Sequence, residues 1–526
     1  MKIRIVSYIT ALFMLVSVLL SAVSCDVSML EDLLQDPTLD MSDTDIEDSD
    51  DETDANDTEK ADTEETDEAT TSKDDQLEDM TTIPEDTTSA NDPIFPDPIE
   101  PEKPADPQYP YYGMDFGGEQ FMIVSTKQGM QKYYAPGTDV AYNILSSLTA
   151  DRDSIIGYNY NIEIINKFVN SPGDVTDLLR ASTLTGTDDV DAVVTSTMYS
   201  DMIKGYIAPL DLLNIDFTEN HWDLDVMENV MYGDQYYAAF GDMLGTNTNV
   251  ILYNKDMANN YGIEGLYDLV YEGMWTLEAL YDAMNRMGYT DYNGNGMRDN
   301  GDMFALSGSF VSTSGAFVFS SDMFLVDKDN DGNYMVYPNN AQLNDVYSEV
   351  KKILIDSGLS YNTQNDTMSI FNNGYSLFEL TVTSAIDNYA NADFTFGILP
   401  YPKAYADQAN YRSLYTGQYI CVPTNLSDYS FTGITLDILN YYSQGLENNL
   451  WMRALSSAED VTIMGIIRNN LVSEFALTYN DGTLSSLNNL FANAILNESQ
   501  NIMVDYKQGY NAWNSYIKNF NKNLKG

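Results

Sequence analysis

One stretch, residues 249–302, does most to limit what this chain can fold into. It opens with the apolar, β-branched and aromatic run Val250-Ile251-Leu252-Tyr253 and stops at Asn254-Lys255-Asp256, which predicts a buried strand ending in a turn. After Gly262-Ile263-Glu264, helical spacing appears in Leu266, Leu269 and Val270 and ends at Gly273. Trp275-Thr276-Leu277-Glu278 then opens a further helix, with Thr276 as N-cap, Glu278 in the first turn, and Leu277, Leu280, Tyr281 and Met284 on one apolar face. That helix runs directly into Asp291-Tyr292-Asn293-Gly294-Asn295-Gly296-Met297-Arg298-Asp299-Asn300-Gly301-Asp302.

The last twelve residues carry the strongest chemical signal. Hard cations need a concave set of oxygens, and the first, third, fifth, ninth and twelfth positions of the loop supply Asp291, Asn293, Asn295, Asp299 and Asp302, with Met297 contributing its backbone carbonyl. Gly296 permits the sharp turn at the sixth position. The final ligand is Asp where the common loop has Glu, so a weak structural Ca2+ site is expected, against a metal-free Gly/Asn-rich turn. A second acidic run, Asp327-Lys328-Asp329-Asn330-Asp331-Gly332-Asn333, meets Pro338 at its twelfth position and reads better as a hairpin turn.

The amino terminus has a different role. Lys2 and Arg4 precede an apolar run from Ile5 to Leu20, and Ser21-Ala22-Val23-Ser24-Cys25 is a small-residue cleavage region, so residues 1–24 read as a signal peptide. Cys25 fits the lipid-carrying first residue of a bacterial lipoprotein, although Ala22 stands where such signals prefer Leu, and simple secretion is the alternative. The only other cysteine, Cys421, lies in an apolar run and reads as a core residue, so there is no disulfide framework. Residues 26–108 hold 31 acidic residues against 3 lysines, half of the net charge of −56. Such a segment cannot offset its ordering entropy by burial; with the cysteine, residues 25–108 are expected to form a lipid anchor and a disordered acidic tether spanning roughly 50 Å.

From about residue 109 the pattern becomes globular. Phe121-Met122-Ile123-Val124-Ser125-Thr126, Ile162-Glu163-Ile164-Ile165 and Asp188 to Thr195 read as strands, and Val175 to Leu184 as a helix. This alternation argues for an α/β domain with a largely parallel sheet, whose ligands gather at the carboxyl ends of strands. Thr126 and the loop from Thr197 to Tyr199 are therefore candidate contacts.

Several segments stand in a distinctive order along the chain. They are Asp191-Ala192-Val193-Val194, Gly205-Tyr206-Ile207-Ala208-Pro209-Leu210, the strand ending Tyr253-Asn254-Lys255, Trp275-Thr276 opening a helix, Phe371-Asn372-Asn373-Gly374, and Phe396-Gly397-Ile398-Leu399-Pro400-Tyr401-Pro402-Lys403. In this order, over about residues 115–450, the chain resembles the extracellular solute-binding proteins of ABC importers, in particular the sugar-binding, maltose-binding-protein-like family. The resemblance implies a periplasmic-binding-protein-like fold of type II. In it, residues 109–245 and 377–425 form lobe 1 and residues 246–376 and 426–526 lobe 2, with a hinged cleft between them. It also places Tyr199, Phe310 and Tyr415 near that cleft. Trp275 is open to two readings, a ring stacked on a sugar or core packing. Asp242 likewise fits either a ligand contact or a hinge hydrogen bond.

Enzyme chemistry finds little support. The chain has one histidine, His221, and no G-x-S-x-G, H-E-x-x-H or phosphate-loop motif. With about 50 acids against about 20 bases after residue 108, nucleic acid would be repelled. The expectation is a monomeric, non-enzymatic, lipid-anchored protein on a Gram-positive surface that passes a small solute, a carbohydrate or similar neutral polar molecule, to membrane permease subunits. The alternatives are an adhesin or sensor of the same fold and a secreted carbohydrate-active hydrolase.

Overall fold

The computed structural model describes residues 111–126, 144–196, 198–336, 340–364, 369–389, 392–455, 457–479 and 482–525. The expected signal segment, Cys25, the expected acidic tether, Thr197 and Pro338 lie outside the described residues.

Three strands open the fold: β1 (Glu119–Thr126), β2 (Ile162–Val169) and β3 (Ala192–Thr195). β1 lies between the other two and is parallel to both, with Phe121 opposite Ile164 and Ile123 opposite Ala192. The helix Pro172–Thr185 shows why the crossover forms where it does. Ser171 and Asp174 make a reciprocal capping box, Pro172 fills the first turn, and Gly186 closes the end in the left-handed region. The third strand is shorter than its apolar pattern suggests. Its expected start at Asp188 lies outside any strand, and Asp191 instead accepts the Met122 N–H through its carboxylate at 2.7 Å.

The chain then builds a second sheet from β4 (Asn249–Asn254) and β5 (Phe304–Gly308). A hairpin of β6 (Val326–Lys328) and β7 (Tyr334–Val336) follows, then β8 (Ser360–Asn362), β9 (Ser376–Val382) and β10 (Phe396–Leu399). The strand order is β10-β4-β9-β5-β8, parallel from β9 through β5 to β8 and antiparallel at β4 and β10. All six residues of β4 are buried, as a strand covered on both faces requires. Thr276 caps the helix Leu277–Met287 through the Ala279 N–H at 3.2 Å, and that helix buries Leu277, Leu280 and Met284 as its spacing predicts. The Asp327–Asn333 run ends β6 and makes the hairpin turn over Asp329–Asn333, as expected.

The lobe boundaries differ from the expectation. β9 and β10 belong to the second sheet, so the chain does not return to the first lobe at residue 377. After the short β11 (Ser413–Leu414), the return comes at β12 (Tyr419–Cys421), which pairs antiparallel with β3. The physical reason is burial on both faces: six of the seven residues of β9 are buried, and the strand lies between β4 and β5. The helix Tyr429–Tyr441, expected in lobe 2, packs on lobe 1 instead, with Phe431 meeting Phe116 and Phe121 at 5.5 and 6.0 Å between ring centroids. Cys421 is a wholly buried core residue beside Met198. β13 (Leu471–Val472) then pairs with β11, and the chain ends in the long helix Ile502–Lys525.

Candidate functional site

Two sheet edges point to the site. In the first lobe the parallel strands β1 and β3 end at Thr126 and Thr195. In the second, β5, β8 and β9 end on the edge where β4 begins, and β4 begins where the chain arrives from the first lobe. The crossing is held by backbone pairing. Thr248 pairs with Tyr415, the Thr416 N–H donates to the Asn247 carbonyl at 2.8 Å, and the Thr383 N–H donates to the Thr248 carbonyl at 2.9 Å.

This second-lobe edge is rich in buried polar atoms that make no hydrogen bond: Asn247 Oδ1, Thr248 Oγ1, Asn249 Nδ2, Thr363 Oγ1 and, one residue further in, Glu379 Oε1. Each such group costs about 1–3 kcal/mol unless a partner is supplied, so five at one edge call for a polar ligand. None of the five is basic. Gly308, at the end of β5, has φ of 152°, and a Cβ there would stand 2.7 Å from that of Leu380, so only glycine lets β5 and β9 close up at this edge.

Glu379 sets the charge of the edge. It is wholly buried on β9 and accepts a short hydrogen bond from Ser307, and burial pushes its carboxyl up to about 8. It is therefore mainly protonated at neutral pH and can donate as well as accept. Because the folded chain holds this proton and the unfolded chain releases it near pH 4.5, stability falls as pH rises between those values, by up to about 1.4 kcal/mol per unit. Glu379→Gln is expected to remove this slope. Urea melts at pH 5 and pH 8 check it, and an unchanged slope would show that Glu379 is ionised throughout.

The residues expected at the cleft are only partly brought together. Thr126 is buried at the end of β1. Tyr199 starts the short helix Tyr199–Ile203 and is half-buried, stacked on Phe520 at 5.6 Å and edge-on to Tyr479 at 5.7 Å. Trp275, Phe310 and Tyr415 do not fit a ligand contact. Trp275 has no exposed surface, and its indole N–H donates to the Pro400 carbonyl at 2.9 Å, so of its two readings the core one is correct. The Phe310 ring is enclosed in the second lobe, and Tyr415 packs on Phe240 at 4.3 Å with its hydroxyl bonded to the Gln418 carbonyl.

Asp242 belongs to an ion-pair cluster beside the segment that crosses to β4. The Arg468 guanidinium reaches Asp223 at 2.8 Å, Asp242 at 3.3 Å and Glu447 at 4.0 Å, and lies over the Phe240 ring. Glu447 in turn accepts the N–H and hydroxyl of Thr246, on the crossing segment itself. Burial raises all three carboxyls, and the arginine opposes that rise. The only histidine, His221, is buried and bonded to Asp437 at 2.6 Å.

An aromatic cluster went unanticipated. Tyr232, Tyr334, Phe475 and Tyr479 gather around Phe520 of the C-terminal helix, next to Tyr199. The hydroxyls of Tyr334 and Tyr479 donate to the adjacent carbonyls of Met231 and Val230. The spacing of Tyr506, Trp513, Ile517 and Phe520 is the signal that marks this helix, and the Asn- and Ser-rich residues before it obscure that signal. The Asp291–Asp302 loop lies at the opposite edge of the second sheet, ahead of β5.

The profile of the family described as bacterial extracellular solute-binding protein matches residues 157–457, more than half of the chain. The chain belongs to that family. No curated protein matches this solute-binding protein significantly. Its fold is that of solved two-lobed binding proteins. The ABC substrate-binding protein Lmo0181 from Listeria monocytogenes, in complex with cycloalternan, is 13% identical, covers 77% of this chain and 99% of its own, and superposes with a TM-score of 0.50. UgpB from Mycobacterium tuberculosis, in complex with glycerophosphocholine, is 13% identical, with the same coverages and a TM-score of 0.51. UspC, also from M. tuberculosis, is 11% identical, covers 75% and 99%, and gives 0.52. Among the described residues of the solute-binding protein, no helix is long and apolar enough to cross a membrane.

Proposed function

We propose that this solute-binding protein captures a neutral, polyhydroxylated solute, a carbohydrate, between its two lobes and hands it to the membrane permease of an ABC importer without chemical change. The observation that carries the reading is the row of unpartnered hydroxyl, amide and carboxyl groups at the hinge-side edge of the second sheet. Hydroxyl-rich ligands both donate and accept, and so satisfy such a mixed set. An anionic solute would find no cation there and would meet a strongly acidic chain. The cycloalternan of the Listeria neighbour is consistent with this chemistry.

Delivery at a membrane fits anchoring through a lipid on Cys25, with the acidic segment of residues 25–108 as a spacer that holds the lobes clear of a Gram-positive surface. No catalytic role for the carboxylates is needed. A thermal-unfolding screen of the whole chain against neutral saccharides, amino acids, polyamines and sugar phosphates tests the reading. A saccharide at about 100 times its Kd is expected to stabilise the fold by about 2.7 kcal/mol without being turned over. A response confined to charged solutes would contradict the proposal, and hydrolysis of the saccharide would replace it with the hydrolase reading. Silence across all classes would favour a surface adhesin or sensor.

A further inference from the structure

The second sheet has another end. β4 finishes there at Asn254, and β5, β9 and β10 begin there at Phe304, Ser376 and Phe396. The length of β4, about 17 Å, separates this end from the hinge-side edge. A cavity of about 640 Å³ opens at it, lined by the helix Lys255–Asn260, the turn that leads into β9 and the residues ahead of β10. The turn is built locally. Gly374 adopts φ of 72°, its N–H donates to the Phe371 carbonyl at 2.8 Å, and the Tyr375 N–H donates to the Ile370 carbonyl at 3.0 Å. Asn372 and Tyr375 thereby line the cavity, with the Tyr292 ring behind Tyr375 at 5.4 Å between centroids. Tyr261, just past the helix, and Phe394, ahead of β10, supply two further rings.

The charge of this cavity is one-sided. Asp256 and Asp393 line it, both exposed, and no lysine, arginine or histidine does. Among the described residues neither carboxylate is in an ion pair; Lys255, the neighbour of Asp256, is turned to Asp460 at 2.8 Å. Two solvated carboxylates are by themselves an ordinary surface. The Asn372 amide distinguishes this one. Its Nδ2 donates to the Asn388 carbonyl at 3.3 Å, and its Oδ1 is buried without a partner. A buried carbonyl oxygen that lacks a donor is costly, so the cavity is short of a donor as well as of positive charge. Its walls are rings, whose faces attract cations.

We propose that this cavity is a second binding site, separate from the cleft, for a small aliphatic ammonium solute such as a diamine or polyamine. An ammonium group donates and never accepts, which suits Asn372 Oδ1 and the two carboxylates together. The ring faces of Tyr261 and Phe394 hold the cation, and the alkyl chain covers the apolar wall between them. An uncharged polyol leaves both carboxylates without a counter-charge, and an anion is repelled by them. The hinge-side edge, with its mixed hydroxyl, amide and carboxyl groups, has the opposite selectivity. The two ends of the second sheet therefore take different solutes, and the ammonium site stands whether or not the cleft binds a saccharide.

The test is calorimetric titration of the whole chain with cadaverine and with spermidine, a diol of the same chain length serving as the uncharged control. Salt at about 0.15 M screens exposed charges more than about 8 Å apart and so suppresses diffuse cation collection. One amine is expected to bind per chain, and the diol is not. Tyr261→Ala should weaken binding about fivefold, and Asp256→Asn combined with Asp393→Asn about tenfold. All three side chains are exposed, so these variants keep the melting temperature of the unaltered chain. Unchanged affinity in them would assign the amine to the acidic amino-terminal segment and overturn the proposal. Equal binding of the diol would overturn it too, as would no binding to the unaltered chain. Loss of amine binding in Asn249→Ala would move the amine to the hinge-side edge. That variant separates the two sites, because it removes a group of the cleft and none of this cavity.

Discussion

Trp275→Ala is expected to destabilise the protein by about 4 kcal/mol, near the cost of removing the largest side chains from a packed core. Trp275 is fully buried, its ring lies 6.0 Å from that of Phe378, and its indole N–H satisfies the Pro400 carbonyl. Truncation would leave both a cavity and an unpaired acceptor. Trp275→Phe, which keeps most of the volume, should cost less than half as much and leave solute affinity unchanged. Urea unfolding read by circular dichroism measures the first effect and a binding titration the second. A phenylalanine variant that stays stable but no longer binds would return Trp275 to the cleft.

Arg468→Ala should rank next, at about 2–4 kcal/mol. One guanidinium, 19% exposed, serves Asp223, Asp242 and Glu447, and its removal leaves three crowded carboxylates without a counter-charge. The pH dependence follows from the direction of the shifts. Burial raises these carboxyls above their unfolded values even with the arginine present, so the folded chain holds protons that the unfolded chain releases from about pH 4 upward. Stability therefore declines as pH rises through that window. Without Arg468 the carboxyls rise further, so the variant's deficit should be largest near pH 8 and shrink near pH 5. A deficit independent of pH would mean that Arg468 contributes packing on Phe240 alone.

Local chemistry was the legible part of this sequence. The Thr276 cap, the apolar face of the helix it begins, the buried run of β4 and the turn at Asp327–Asn333 all follow from residues close together in the chain. The lobe boundaries did not follow, because the local pattern of residues 376–382 marks a strand but not which sheet covers it. The site was least legible. Glu379 is unusual only because Ser307 and a closed core surround it, 72 residues away in sequence, and Tyr199 meets Phe520 from the far end of the chain. Aromatic residues in predicted loops were a poor guide for the same reason: Phe310 and Tyr415 are held by partners that no local pattern reveals.

The most direct test of solute capture at the hinge-side edge is calorimetric titration of a stabilising saccharide into the whole chain and into Asn249→Ala and Thr363→Val. Each variant removes one unpartnered group from that edge while keeping the surrounding backbone. Binding with one site per chain, weakened about tenfold or more in either variant while Trp275→Phe binds normally, is the predicted result. Equal affinity in all four proteins would contradict it and move the solute to another surface.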